Sequence, residues 1–153
     1  MLDRYAYAEN DAAADAIDET SAIIGIAQPS TTSGKRGYLY DLLWGTSSTA
    51  ADNQLKYLLQ RHTALTATEG TPTPLDFSAP ASKIKGKHTY TALTLTAGEV
   101  LLQVGANQRS MQRWVAAPGG EFQIPNADDD GLTFMAIHAS ATPTVEATMH
   151  FYE

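Results

Sequence analysis

Residues 145–152 alternate without a break, Val145, Ala147, Met149 and Phe151 on one side, Glu146, Thr148, His150 and Tyr152 on the other. A period of two is the mark of a strand with one face buried. Residues 37–46 repeat it, with Tyr38, Tyr40, Leu42 and Trp44 on one parity and Asp41 on the other, so all four are predicted to point inward. Leu55, Tyr57 and Leu59 share a face in the same way, against Lys56, Gln60 and His62. Residues 21–27 form a short apolar run ended by Gln28 and Pro29, and further strands are predicted at 89–96, 100–104, 109–116, 121–124 and 132–139. Turn residues around Gly98, Gly105, Gly119, Gly131 and Pro143 punctuate them roughly every eight to twelve residues, the spacing of an antiparallel sandwich.

Residues 107–125, NQRSMQRWVAAPGGEFQIP, read as two short strands around a tight turn. Pro118 fixes its φ and the glycines after it accept positive φ, so the chain is predicted to reverse there. Residues 64–87 hold Pro72, Pro74 and Pro80 and the lysines 83, 85 and 87, and are predicted to be a long surface excursion, because proline is excluded from a central strand. Residues 1–19 are read as an arm, with a strand at 4–8 and a short helix capped by Asn10 through Ala16. The organisation expected is therefore an N-terminal arm, 1–19, and one all-β domain, 20–153, an antiparallel β-sandwich of jelly-roll type. An immunoglobulin-type sandwich is the alternative. The core is expected around Ile24, Ile26, Leu42, Trp44, Tyr57, Leu59, Leu102, Val104, Phe122, Ile124, Phe134, Val145, Met149 and Phe151.

At 153 residues the chain has a single-domain length and can bury about 70% of its unfolded surface. It has no cysteine, which removes disulfides and thiolate metal sites. A formal charge of −7 argues against nucleic acid or an anionic membrane as partner. No apolar run approaches the roughly 18 residues of a membrane helix, and residues 1–11 lack the basic start and apolar core of a signal peptide.

Candidate chemistry is sparse. His62, His88, His138 and His150 are isolated, without the two-His-and-carboxylate spacing of a metal-dependent double-stranded β-helix enzyme. Asp128, Asp129 and Asp130 precede Gly131, but the other spaced ligands of a calcium loop are missing and a hairpin turn is the ordinary reading. No nucleophile elbow, phosphate-binding glycine loop or zinc-protease motif occurs. Neither a catalytic site nor a cofactor nor a tightly held transition metal is expected. Trp44 reads as core; Arg113 and Trp114 are candidates for an interface, where Arg and aromatic residues are enriched.

Two blocks carry a resemblance: residues 45–82, with Ala51-Asp52-Asn53, Gln60-Arg61, Thr71-Pro72 and Leu75-Asp76, and residues 107–125, with Arg113-Trp114 and Pro118-Gly119-Gly120-Glu121. They resemble small virion-associated proteins encoded near the head genes of tailed bacteriophages, which are similar to jelly-roll decoration or cement proteins. The resemblance implies a structural, non-enzymatic protein on the capsid exterior, made in the bacterial cytoplasm. Its partner would be the major capsid protein, and its own state a homo-oligomer, with a trimer matching icosahedral threefold positions. Interface candidates on this reading are Tyr5, Tyr7, Pro72, Pro74, Arg113 and Trp114. The competing class is a tail- or fibre-associated receptor- or carbohydrate-binding module, which would need two or three aromatic rings exposed on one patch.

Overall fold

The computed structural model describes residues 2–14, 16–29, 35–47, 49, 51–139 and 141–153. The sequence predicts a polar turn at 30–34, which lies outside these residues. In chain order come β1 (Arg4–Ala12), one 3-10 turn (Glu19–Ser21), β2 (Ala22–Ala27), β3 (Gly37–Thr46), β4 (Gln54–Gly70) and β5 (Thr73–Pro74). β6 (Lys85–Asn107), β7 (Gln112–Val115), β8 (Phe122–Ile124), β9 (Gly131–Ile137) and β10 (Thr144–Tyr152) follow. All the pairings between these strands are antiparallel.

The strands fall into two sheets. One runs β5-β1-β10-β3-β7, with β8 also on β3. The other holds β2, β9, β4 and β6, and closes on itself because the first residues of β6 pair back to β2, Gly25 opposite Lys87. Successive strands alternate between the sheets, β1 in the first, β2 in the second, β3 in the first again, with the β4–β6 ribbon as the hairpin. That alternation is jelly-roll connectivity, as the sequence led us to expect.

The core lies between the sheets. Trp44, Tyr57 and Phe134 meet with ring centroids 5.3 to 5.9 Å apart, surrounded by Ile24, Ile26, Leu42 and Met149. Each such side chain contributes about 1.5–3 kcal/mol on burial. All the expected core residues are in this cluster, Leu102, Val104 and Phe122 at its half-buried margin.

Several expectations need correction. The 64–87 excursion is shorter than predicted, since β4 continues to Gly70 and β6 begins at Lys85. Leu65, Ala67, Tyr90 and Leu93 explain why: they fold over the outer face of the second sheet and cover Ala22, Leu58 and Met135 there, making a second apolar cluster. β6 also runs through the predicted turns at Gly98 and Gly105, absorbing Gly98 (φ +78°) in an irregular stretch of its pairing with β4.

The turn at Pro118 forms, with Gly120 N–H donating to Ala117 O at 2.8 Å and Gly119 at φ +80°. It does not reverse the chain. β7 pairs with β3 at 41–44 and β8 at 37–39 in the same sense, so the two are one edge strand interrupted by a turn.

The separate arm is corrected as well. Residues 4–12 are an inner strand between β10 and β5, so 10–12 are extended where a helix was predicted, and Ala14 bridges to Ile137. Alanines offer a helix no apolar face to bury, whereas Tyr5 and Tyr7, two residues apart, give a strand one.

Candidate interaction face

Six residues were expected at an interface, and the structure disperses them. Tyr5 is fully buried, its ring stacked on Phe151 at 5.6 Å and its hydroxyl donating to Pro80 O at 3.0 Å. Tyr7 is buried against the start of β6. Neither is available on the surface, because β1 turns this face of its alternation into the core. Pro72 is buried and Pro74 half-buried in β5, at the sheet edge. Trp114 turns inward, its ring flat on Phe122 at 4.4 Å. Arg113 alone of the six stands on an open sheet face, its side chain 56% exposed.

That face is the outside of the first sheet. β3 opposes His150 with Asp41 and Phe151 with Leu39, so Tyr40 is an extra, bulged residue. The bulge switches parity: Leu42 and Trp44 remain inward, but Leu39 rather than Tyr38 or Tyr40 faces the core before it. Tyr38 and Tyr40 are thereby carried to the outer face, contrary to the inward placement predicted for them. They join Tyr152 and His150, which alternate outward on β10.

The rings form a continuous row. Tyr38 stacks on Tyr152 at 5.2 Å, Tyr152 on Tyr40 at 6.1 Å, and Tyr40 on His150 at 6.2 Å. The Arg4 guanidinium lies 6.0 Å from the centre of the Tyr40 ring, within reach of a cation–π attraction. His150 Nδ1 is 3.1 Å from Asp41 Oδ2, and Arg113 grips the same carboxylate through Nε at 2.9 Å and Nη2 at 2.8 Å.

Asp41 is 4% exposed although it sits on an outer face. Its Arg113 hydrogen bonds, more than His150, outweigh burial and hold its carboxyl below the usual range, so it is a fixed anion. Burial raises Tyr40 and Tyr152, which stay neutral hydroxyl donors and acceptors. The arrangement is therefore a rigid polar and aromatic row spanning three strands. Its inner rings, Tyr40 and Tyr152, each have two ring neighbours, and what the row offers a partner is ring edges, hydroxyls and the remaining N–H groups of Arg113.

The other histidines are engaged separately. His62 is buried and paired with Thr133 Oγ1 at 2.8 Å, His88 meets Thr89 Oγ1 at 3.1 Å, and His138 Nδ1 accepts from Ala141 N–H at 2.7 Å. Among the described residues no three His, Asp or Glu side chains are grouped to hold a metal ion. Asp128 to Asp130 form a turn, with Asp130 N–H donating to Ala127 O at 3.1 Å.

The outer row was missed because parity was carried unbroken through 37–46. Leu39 and Leu42, three apart in an otherwise alternating run, were the available sign of the bulge.

No protein-family model matches the chain, and no curated protein matches it. Solved structures with a similar arrangement include a chain of the extra small virus (XSV) virus-like particle of the giant freshwater prawn Macrobrachium rosenbergii. It is 13% identical over 97% of this chain and 77% of that one, with a TM-score of 0.35. A chain from a marine algae virus of the order Picornavirales is 8% identical over 97% and 66%, with a TM-score of 0.25. For infectious bursal disease virus Gt strain the figures are 13%, 96% and 40%, with a TM-score of 0.13. All three TM-scores lie below 0.5, so the jelly-roll assignment rests on the strand pairing itself.

Proposed function

We propose that this is a virion structural protein, a decoration or cement protein on the outside of a tailed-phage head, docking on the major capsid protein through the outer face of its first sheet. The observation that carries the reading is the locked row from Arg113 through Asp41, His150, Tyr40 and Tyr152 to Tyr38 on a jelly-roll body. Pre-organised Arg and Tyr side chains lose little conformational entropy on docking, so a modest contact area can hold a partner. The chain's resemblance to head-associated proteins supplies the partner. Its acidic charge supports an outer position, where it does not compete for packaged DNA.

The carbohydrate-binding alternative draws on the same four clustered rings. Sugar recognition by stacking needs an open ring face, and here Tyr40 and Tyr152 each have ring neighbours on two sides, which leaves Tyr38, with a single neighbour, as the ring such a ligand would use. Ring edges and an anchored guanidinium suit a protein surface better.

The test is co-sedimentation of the purified protein with phage heads lacking it. Wild type is expected to bind saturably, and Arg113→Ala or the pair Tyr38→Ser, Tyr152→Ser to bind at least tenfold more weakly while remaining folded. Unchanged binding by both variants would remove the outer face from the account. Saturable binding to a glycan, lost in Tyr38→Ser, would favour the carbohydrate module.

A further inference from the structure

Five of the strongly exposed large apolar side chains among the described residues fall in two groups, at opposite edges of the first sheet. Leu2 (60% exposed), Leu75 (52%) and Phe77 (109%) surround the corner beside β5, where a cleft of about 690 Å³ is lined by Leu2, Asp3, Arg4, Leu75, Asp76 and Tyr152. Met111 (74%), just before β7, and Val115 (55%), at its end, lie along the far edge. Neither group is a consequence of the core, since each side chain could have been polar without disturbing it. Exposed apolar groups concentrated in this way mark contact surfaces.

The β5 corner is held in shape. Leu75 N–H donates to Arg4 O at 2.9 Å, and Asp76 Oδ1 accepts from Ser78 N–H at 2.9 Å and Ser78 Oγ at 2.8 Å, so Phe77 projects from a hydrogen-bonded turn. It carries Asp3 and Asp76, while Arg4 in the same corner is drawn over the Tyr40 ring. The β7 edge carries Arg109 and Arg113, 57% and 56% exposed. Arg109 pairs with Asp52 at 2.9 Å, but Asp52 is 80% exposed, and such a surface pair exchanges partners at little cost. Arg113 keeps Asp41 and still has N–H groups to donate outward. One edge is thus apolar with carboxylates, the other apolar with guanidinium groups.

We propose that copies of this chain associate head to tail, the Leu75 and Phe77 corner of one docking on the Arg109, Met111 and Val115 edge of the next. Phe77 is the aromatic anchor and Asp76 the partner of Arg109. Because the two surfaces differ and lie on opposite edges, the contact is heterologous and repeats, closing into a ring or extending as an array according to the rotation at each step. This deepens the virion reading by naming the self-contact of a many-copy layer, and is independent of which capsid surface the layer covers.

Sedimentation velocity on the isolated full-length protein tests it. Wild type is expected to assemble with rising concentration, up to on the order of 100 µM. Phe77→Asp and Met111→Asp, both exposed positions, are each expected to stay monomeric there with an unchanged dichroism spectrum. An equimolar mixture of the two must form dimers and stop, since each supplies one intact surface. A wild type monomeric throughout, assembly surviving in either Asp variant, or a mixture that gives no dimer overturns the contact. Those results leave the virion reading standing, because that is judged by the content of particles.

Discussion

The ring of Tyr7 lies directly against Gly86, so close that a β-carbon at Gly86 would overlap it, and Gly70, the register partner of Gly86, closes on the same ring. A side chain from β1 in the first sheet thereby pins the end of the β4–β6 ribbon that folds over the second. Gly86→Ala is expected to lower stability by about 1–3 kcal/mol through overpacking, read as a lower urea midpoint at unchanged slope. Tyr7→Phe, which keeps the ring and loses the hydroxyl bond to Glu9 at 3.1 Å, should cost far less. Equal losses in the two variants would mean that ring packing is not what pins the ribbon.

The ribbon also covers His62, which is 1% exposed. Burial, and then the nearby Lys87 cation, push its pKa down to about 4 from 6.5. Lys87 is 2% exposed, bonded to Glu69 at 2.6 Å and 3.9 Å from Asp129. The folded state binds fewer protons than the unfolded state in this range, so stability is full above pH 6.5 and falls as pH drops from there through 4. A gap of this size is worth about 3 kcal/mol. Urea titrations between pH 7 and 4.5 should show the decline, and His62→Gln should flatten it; a parallel decline in His62→Gln would assign the sensitivity elsewhere.

Asp41 behaves in the ordinary carboxylate sense. Its pKa is held down by Arg113 and then His150, so the stability it lends is present above the unfolded value of 3.8 and lost as pH falls through the lower folded value. In Arg113→Ala the Asp41 carboxyl resonance should titrate at higher pH than in wild type. An unmoved midpoint would show that the two side chains do not pair in solution.

The carboxylate of Glu153 accepts from the backbone N–H of Lys83 at 2.9 Å and of Ile84 at 3.2 Å. Glu153→Ala leaves those donors in a largely buried loop and is expected to cost about 1–3 kcal/mol. Glu153→Gln, which keeps an acceptor oxygen, should recover part of this, and a loss no smaller than that of Ala would point to packing instead.

Alternation on β3, β4 and β10, with turn residues between strands, was enough to identify the jelly roll and its core. What escaped the pattern depends on partners far away in sequence. Ribbon residues 64–70 looked like loop because Leu65 and Ala67 bury themselves only against Met135 and Leu58, on the outside of a sheet. Tyr5 and Tyr7 gave the right periodicity for a strand, but the pairing that makes it an inner one lies at 144–152. The outer row was hidden by a single bulged residue, Tyr40, that inverts the parity of everything before it. Of the interface candidates, Arg113 was legible as exposed Arg; its binding to Asp41, 72 positions away, was not.

The absence of cysteine, the dispersed histidines and the lack of a nucleophile motif lead us to expect no tightly held transition metal. Elemental analysis after dialysis against a weak chelator should find well under one equivalent of zinc or iron. A stoichiometric value would reopen the enzyme class.

The central claim is a structural place in a virion, and the copy number of this chain in purified phage particles, measured by quantitative mass spectrometry against the major capsid protein, tests it most directly. A fixed count comparable with that of the capsid protein, or a simple fraction of it, is the expected result. Absence from particles, or a handful of copies confined to tails, would contradict the account.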